Sequence, residues 1–412
     1  MTQRVLIIGA GFAGLWSALA AVRRLKLENV AAGDIEVALV APEAVLTMRP
    51  RLYEPAPAGM VAPLQQLFDD TGVRFIAGKV EAIRSTSDEV DIVAADGSRS
   101  TLAYDRLVLA AGSSLFRPEI PGLQEFAFSA DQRDDAVALD AHLHGLAARP
   151  ASAARNTVIV AGGGFTGIEL AAELPARLRA ILGQDADVKV IIVERAPDIG
   201  PDLGPGPRPV IEQALAELGV ECRLGSAVAA IDADGLTTAD GERIEAATVV
   251  WTAGVRASAL TAQIPGDKDA AGRLRVANDL RVPGAGKVFA TGDAAVAATD
   301  DEGNHTLMSC QHAMFLGRSS GDNAVADLLG LATRPYRQPY YVTCLDLGAW
   351  GAVVTRGWER KVWMTGSEGK AMKVAINGRV IYPPADSAAA LAAADPALEL
   401  SLQSRLAAAN VE

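Results

Sequence analysis

The 412-residue sequence contains few cysteines, few histidines and an excess of acid over base, and each shortage excludes a class of protein. Its three cysteines, Cys222, Cys310 and Cys344, form no close pair, which excludes a disulfide framework, a C-x-x-C redox pair and a close-spaced zinc site. The four histidines show no ligand spacing, so no metal site is expected. A formal net charge of −12 argues against a nucleic-acid partner, because binding phosphates requires a basic face.

The sequence also lacks a recognisable targeting segment. Residues 5 to 22 contain few polar groups, but three glycines at motif spacing explain this stretch better than a signal or membrane segment does. We therefore expect a cytoplasmic protein, with peripheral contact at the inner face of a membrane as an open alternative.

The C-terminal tail, Ala385 to Glu412, is rich in alanine and favours a helix. Leu398, Leu402 and Leu406 share one helical face, while the basic and aromatic anchors of a membrane-surface helix are missing apart from Arg405. We interpret the tail as a packing or homodimer helix, with a membrane contact as the alternative.

What the sequence does contain is a glycine-rich fingerprint placed between a strand and a helix. The motif follows the apolar run Val5 to Ile8 and precedes the helical segment Leu15 to Leu27. In that context G-x-G-x-x-G is typical of a dinucleotide site, because its glycines permit a tight turn, close approach of a pyrophosphate and close helix packing. The free amides at the helix start then bind the anion. The candidate cofactor-binding residues are Gly9, Gly11, Phe12, Ala13 and Gly14.

A second fingerprint with the same pattern lies about 150 residues downstream, between the apolar run Val158 to Ala161 and another helical segment. A single G-x-G-x-x-G is often only a turn, but two copies in one chain favour two dinucleotide sites. The candidate residues here are Gly162, Gly164, Thr166 and Gly167.

An acid after the second strand of each unit is the expected ligand of a ribose. The strand Val188 to Val193 ends in Glu194, a carboxylate suited to the ribose hydroxyls of NAD, so NADH is favoured over NADPH. Arg195 weakens this preference, because a guanidinium can pair with a 2′-phosphate. In the first unit the strand Ile35 to Val40 has no acid directly at its end, and Glu43 is the candidate.

The alternation of strands and helices predicts an α/β fold with two Rossmann-like domains, the second inserted into the first. Buried strands end in glycine turns at Ala111-Gly112 and at Gly254, which adds these residues to the cofactor-binding candidates. Val73 to Ile83 and Val90 to Val93 are expected to be added antiparallel strands. The segment Val288 to Asp293 returns a buried strand to the first sheet and delivers Gly292 and Asp293 to a sugar-like polyol. From about residue 335, short strands predict a small antiparallel C-terminal α+β region.

These motifs in combination resemble those of two-dinucleotide-binding-domain flavoproteins, and most of all the type II NADH dehydrogenases. The resemblance covers roughly residues 4 to 320. It implies FAD in the first fold and NADH in the second, with Gly292 and Asp293 near the flavin's ribityl and phosphate region. The implied domains are 1–115 and 276–334 for FAD, 116–275 for NAD(P)H, and 335–412 as an interface or dimer region.

The resemblance also implies residues close to the chemistry. Pro50 and Arg51 match a stretch near the isoalloxazine, Glu169 a glutamate near nicotinamide and flavin, and Gln311 a glutamine on the quinone side. His312 is a candidate proton relay because its pKa range suits that task, with a packed structural imidazole as the alternative. Cys310 and His312 depart from the small or apolar residues usual beside that glutamine, which leaves the acceptor open.

The expected activity is hydride transfer from NAD(P)H to FAD, followed by reduction of a quinone-like acceptor. Two alternatives stand: a soluble reductase of a small electron-transfer protein, and a flavin-bound NADH sensor that regulates a partner. Sulfide oxidation is disfavoured, because no cysteine lies near either predicted active face before Cys310.

Overall fold

A computed structural model describes residues 2–398, and its framework is two five-stranded parallel sheets. In the first sheet the strands lie in the order Val288–Ala290, Arg106–Leu109, Gln3–Ile8, Ile35–Ala41 and Arg74–Ala77. The strand Val288–Ala290 pairs with Arg106–Leu109 although the whole second sheet lies between them in the chain. The predicted insertion of the second unit into the first is therefore confirmed.

The second sheet repeats the plan of the first. Its strands lie in the order Ala127–Phe128, Thr248–Trp251, Thr157–Ala161, Lys189–Glu194 and Val220–Leu224. Each unit also carries a three-stranded antiparallel sheet, which precedes strand Arg106–Leu109 in the first unit and strand Thr248–Trp251 in the second. The antiparallel strands are Lys79–Arg84, Glu89–Val93 and Arg99–Ala103 in the first unit, and Val228–Asp232, Gly235–Thr238 and Arg243–Glu245 in the second.

The expected antiparallel strands are confirmed from Lys79 onward, but the start of the first one is wrong, because residues 74–77 belong to the parallel sheet. Arg74–Ala77 pairs in parallel with Ile35–Ala41, whereas Lys79–Arg84 pairs antiparallel with Glu89–Val93. The break falls at Gly78, where an added Cβ would lie 2.5 Å from the Ile92 side chain. A glycine is therefore required where the chain leaves one sheet for the next.

Helices cover the sheets and join the units. The α-helices are Phe12–Leu27, Gln65–Thr71, Leu123–Phe126, Arg133–Gly145, Phe165–Leu182, Arg208–Glu217, Cys310–Leu328, Gly366–Ala375 and Ser387–Ala393, with a π-helical turn at Ile376–Val380. Short strand pairs are Val45–Thr47 with Val61–Pro63, Ser113–Leu115 with Val255–Ala257, and Leu274–Arg275 with Ala295–Val296. The second of these pairs links the two units next to their glycine turns.

Helix Cys310–Leu328 packs directly on helix Phe12–Leu27 through two glycines. An added Cβ at Gly317 would lie 2.4 Å from the Ala13 carbonyl oxygen, and one at Gly321 would lie 2.0 Å from that of Ser17. Only glycine allows so close an approach. The start of helix Cys310–Leu328 is thereby held beside the first fingerprint.

The C-terminal region contains the antiparallel strands Val342–Asp346 and Ala352–Arg356, as predicted, and a third strand, Lys361–Thr365, that the sequence did not indicate. Its Leu345 and Val353 pack in the core of the second unit, whereas Ala390 of the last helix packs in the core of the first. Leu402, Arg405 and Leu406, on which the tail interpretation depended, lie outside the described residues. Within residues 2–398 no helix combines the length and the apolar character needed to span a bilayer.

Candidate active site

The first fingerprint forms a phosphate cradle between strand Gln3–Ile8 and helix Phe12–Leu27. Gly9 has φ +108°, and a Cβ there would lie 2.4 Å from the Ala110 carbonyl oxygen. A Cβ at Gly14 would lie 1.8 Å from the Gly9 carbonyl oxygen, whereas one at Gly11 would meet no atom within 4 Å. The turn is therefore tightly packed against the protein at Gly9 and Gly14, whereas the space above Gly11 is empty. Because the amides at the helix start face this space, it fits a dinucleotide diphosphate.

The second fingerprint has the same geometry. Gly162 has φ +125°, and a Cβ at Gly167 would lie 1.9 Å from the Gly162 carbonyl oxygen. A Cβ at Gly164 would meet nothing within 4 Å. The second cradle, at the start of helix Phe165–Leu182, therefore fits a second dinucleotide.

The returning loop completes the first cradle. Gly292 has φ +61°, and a Cβ there would lie 2.7 Å from the Ala13 Cβ. Asp293 accepts a hydrogen bond from Ser113 Oγ at 2.6 Å, and its Oδ2 lies 3.7 Å from Arg49 Nη1. Arg49 also pairs with Asp131 at 2.5 Å. The loop thus presents an oriented carboxylate to the cavity, and sequence reasoning missed Arg49 and Ser113 as its partners.

Both cradles open into one cavity of about 1870 Å³. Surveyed small-molecule pockets run from about 300 to 1,000 Å³, so this cavity has room for more than one ligand. The predicted residues that line it are Gly9, Gly11, Phe12, Ala13, Glu43, Pro50, Ala111, Gly112, Gly162, Gly164, Thr166, Glu169, Glu194, Gly254, Gly292, Asp293 and Gln311. The structure therefore brings the two fingerprints, the returning loop and most of the predicted catalytic residues together.

Four of the predicted residues are not part of the cavity lining. Gly14 and Gly167 lie behind the cradles and permit helix packing. Arg51 turns away to Glu54, which accepts hydrogen bonds from it at 3.0 and 2.7 Å. His312 is fully buried.

The two ribose candidates have different surroundings. Glu194 accepts hydrogen bonds from the backbone N–H groups of Gly163 and Ala196, each at 2.7 Å, which fixes its carboxylate at the rim of the second cradle. Glu43 is 59% exposed in its side chain and pairs with Arg133 at 3.2 Å. The candidate ribose ligand of the second cradle, Glu194, is therefore held in place more firmly than Glu43 of the first.

A buried ion pair lies in the cavity wall near the start of helix Phe165–Leu182. Glu169 accepts a hydrogen bond from Lys373 Nζ at 2.7 Å and another from the Asp346 backbone N–H at 3.0 Å. Asp346 in turn accepts from Tyr53 Oη at 2.9 Å and from Lys370 Nζ at 2.5 Å. All these residues but Lys370 are at most 4% exposed. The site thus contains a connected network of two carboxylates, two ammonium groups and a phenol.

The electrostatics of this network follow from burial and pairing. Burial raises the pKa of Glu169 to about 7, against the opposing effect of the Lys373 ammonium. Burial acts to lower the pKa of Lys373, but the Glu169 carboxylate outweighs it and raises that pKa to about 12. Glu169 is therefore an acid in the cavity wall that binds and releases its proton near pH 7.

Replacing Glu169 with glutamine tests that assignment. The folded-state pKa of Glu169 is raised from 4.5 to about 7, so its contribution to stability is present below pH 4.5 and is lost as pH rises through 7. We expect the free energy of unfolding of the wild type, relative to Glu169→Gln, to fall between pH 4.5 and pH 8 in urea titrations. The lowered pKa of His312 affects the unfolding free energy of both proteins equally over this pH range. A difference between the two unfolding free energies that does not change with pH would therefore contradict the raised pKa of Glu169.

Gln311 and His312 have separate roles at the start of helix Cys310–Leu328. Gln311 lines the cavity, and its Oε1 accepts a 3.4 Å hydrogen bond from the Val342 backbone N–H. Burial lowers the pKa of His312 to about 3, with smaller effects from the charges of Arg273 and Arg360. The ring is therefore neutral near pH 7 and stacks on Tyr341 at 4.9 Å, which favours the packing alternative over the relay.

No local sequence pattern indicated Lys373 or Asp346. Lys373 lies 204 residues from Glu169 and sits on helix Gly366–Ala375, whose polar residues resemble an ordinary solvated helix face. The only indication was indirect: an acid at the start of a helix packed on a sheet needs a cation if it is buried. The three cysteines are free, and burial raises the pKa of the Cys344 thiol to about 12.

Comparisons with known proteins agree with this geometry. Residues 3–317 match the family described as pyridine nucleotide-disulphide oxidoreductase. An NADH dehydrogenase-like protein of Mycobacterium tuberculosis is 46% identical over 400 residues, which cover 96% of this chain and 99% of the relative. A demethylphylloquinone reductase of Synechocystis is 30% identical, covering 85% of this chain and 86% of the relative.

The fold is also that of a solved structure, NDH2 from Plasmodium falciparum in complex with NADH. The TM-score is 0.70 at 13% sequence identity, over 91% of this chain and 94% of the other. At that identity the likeness supports the fold, while the relatives above support the family. The chain therefore belongs to the pyridine nucleotide-disulphide oxidoreductase family, and within it to the type II NADH dehydrogenase-like flavoproteins.

Proposed function

We propose that the protein is an FAD-dependent NADH dehydrogenase that passes the electrons of NADH to a quinone-like acceptor. The observation that carries this proposal is the single cavity into which both phosphate cradles open, with the buried acid Glu169 in its wall. The names of the relatives support the acceptor class, since they include a demethylphylloquinone reductase and type II NADH:quinone oxidoreductases.

The first cradle is the site for FAD. The amides at the start of helix Phe12–Leu27 would bind its diphosphate, and Asp293 would accept hydrogen bonds from its polyol. Bound FAD supplies two-electron chemistry, because it accepts a hydride from a nicotinamide and returns electrons to an acceptor. The protein's part is to hold and align the ligands and to exclude competing reactions.

The second cradle is the site for NADH. The amides at the start of helix Phe165–Leu182 would bind the diphosphate, and Glu194 would accept from the ribose hydroxyls. Its carboxylate, already fixed by two backbone N–H groups, would repel a 2′-phosphate. NADH is therefore the preferred donor, although Arg195 lies exposed beside it.

Proton balance gives Glu169 a task. A hydride brings two electrons and one proton, whereas reduction of a quinone to a quinol consumes two electrons and two protons. One proton per turnover therefore enters from solvent. Glu169 lines the cavity, and its pKa of about 7 lets it hold and release that proton near neutral pH, while Lys373 keeps its carboxylate oriented. Gln311 would contact the flavin edge or the acceptor.

Anaerobic mixing of the flavin-loaded protein with NADH tests the donor step. The visible flavin absorbance should bleach at one equivalent of NADH, and NADPH should bleach it more slowly at equal concentration. Bleaching followed by fast recovery on adding a soluble quinone supports the dehydrogenase. Slow recovery with a long-lived charge-transfer band would instead favour the NADH sensor. A flavin spectrum that does not bleach would contradict hydride transfer from NADH to the flavin.

A further inference from the structure

One hairpin of the C-terminal sheet reaches across to the second dinucleotide-binding unit. Its tip, residues 357–360, joins strand Ala352–Arg356 to strand Lys361–Thr365. A Cβ built at Gly206 of the second unit would lie 2.6 Å from the Arg360 carbonyl oxygen. The backbone of the tip therefore packs directly on the second unit, at a position where only glycine fits.

The tip is also held from the side of the first unit. The Trp358 ring stacks on the Tyr341 ring with centroids 4.9 Å apart, and Tyr341 stacks on His312 at the same spacing. Arg360 itself has φ +50°, and its N–H donates to the Gly357 carbonyl oxygen at 3.1 Å. A left-handed conformation is unfavourable for a residue with a long side chain, and it persists where the surroundings fix it, often at ligand clamps.

The side chain presented by this rigid tip is an arginine that lines the shared cavity. Among residues 2–398, no carboxylate forms an ion pair with Arg360, although the protein carries a net charge of −12 and pairs many of its other arginines. Its guanidinium carbon lies 5.6 Å from the Tyr341 ring centroid. Arg360 is thus a preorganised cation at a ligand cavity, with no carboxylate partner within the described part of the chain.

A second guanidinium lies in the same part of the cavity. Arg273 also lines it, and pairs with Asp269 at 2.7 Å while donating to the Thr306 carbonyl oxygen at 2.6 Å. The charges of Arg273 and Arg360 both reach His312 and help to lower its pKa. Two guanidinium groups therefore lie near His312 in the cavity wall, one paired with Asp269 and the other stacked towards Tyr341.

We propose that Arg360, with Arg273 beside it, binds an anionic group of a ligand in the shared cavity. Guanidinium groups suit phosphates and other oxyanions because their N–H donors are arranged as a planar fork. Two ligands offer such a group: the pyrophosphate of the pyridine dinucleotide, or an anionic substituent on the electron acceptor. The inference rests on the proposed function for the identity of these ligands, but its first test needs no turnover.

Calorimetric titration of the flavin-loaded protein with ADP-ribose, which carries the pyrophosphate without the nicotinamide, tests the first source. If the dinucleotide supplies the anion, Arg360→Gln should raise the Kd of ADP-ribose about tenfold, the size expected for one lost charge-assisted hydrogen bond. If the acceptor supplies it, that Kd stays unchanged, whereas the KM for 1,2-naphthoquinone-4-sulfonate rises about tenfold and the KM for uncharged menadione does not.

The matched control is Lys361→Gln, which removes one positive charge from the adjacent, 80% exposed side chain and should leave both measurements within twofold of the wild type. Arg360→Gly removes the guanidinium at a backbone conformation that glycine favours, so it preserves the test if Arg360→Gln folds poorly. Arg360 variants that match Lys361→Gln for both ADP-ribose and the sulfonated quinone would overturn the inference. A wild type that binds ADP-ribose in an Arg360-dependent way but is never reduced by NADH would overturn the proposed function alone.

Discussion

Replacing Gly14 with alanine will give a protein that retains no flavin. The added methyl group would lie 1.8 Å from the Gly9 carbonyl oxygen and 2.8 Å from the Gly9 carbonyl carbon, well inside contact distance of the backbone that forms the first turn. Relief requires helix Phe12–Leu27 to move off the sheet, at a cost of about 3 kcal/mol or more. The ratio of flavin to protein absorbance after purification, together with the melting temperature, measures the effect.

Two alanine variants separate loss of the fold from loss of the ligand. Gly11→Ala adds a methyl group that meets no atom within 4 Å, at φ −71°, so the apoprotein should keep its far-ultraviolet circular dichroism. The methyl group does intrude on the space open to a diphosphate, and flavin should be lost from it as well. Gly145→Ala, in helix Arg133–Gly145 and also without neighbours within 4 Å, should retain flavin fully. Stoichiometric flavin in Gly14→Ala would contradict the geometry of the cradle.

The features that sequence reasoning located correctly are those whose cause is local. Each fingerprint joins an apolar strand, a turn that requires glycine and a helix within about a dozen residues. The local sequence pattern is therefore enough to predict the geometry of the cradle. The same holds for Gly292 and Asp293, which lie in the turn directly after a three-residue buried strand. That these pieces meet in one cavity follows from the rule that carboxyl ends of parallel strands share an edge.

The features that sequence reasoning missed depend on contacts between distant segments. Arg49 and Arg51 flank one proline in a single turn, yet the first pairs with Asp131 and Asp293 while the second pairs with Glu54. Nothing in the local pattern decides which guanidinium points inward. Arg360 is similar, because its place in the cavity depends on a hairpin that packs on Gly206, more than 150 residues earlier in the chain.

Replacing Lys373 with methionine will lower the free energy of unfolding by about 3–5 kcal/mol at pH 8, because removing one partner of a buried ion pair leaves the other charge uncompensated. Glu169 and Lys373 are 3% and 4% exposed, and their contact is 2.7 Å. At pH 6 the loss should be smaller. Without its cation Glu169 has a still higher pKa, so below that pKa it can fold as the neutral acid. Urea unfolding at the two pH values measures the difference.

The double variant Glu169→Gln with Lys373→Met decides whether the charge is the cause. The double variant removes the Glu169 carboxylate that Lys373→Met leaves without a cation, so it should be more stable at pH 8 than Lys373→Met alone. The coupling energy between the two sites should exceed about 1 kcal/mol in a double-mutant cycle. Lys361→Met is the control for loss of an exposed ion pair: its side chain is 80% exposed and that of its partner Glu359 is 77% exposed, so the loss should cost much less. A Lys373→Met penalty that is equal at pH 6 and pH 8, and that persists in the double variant, would mean that Lys373 acts through packing and not as the counter-ion that keeps Glu169 available to the reaction.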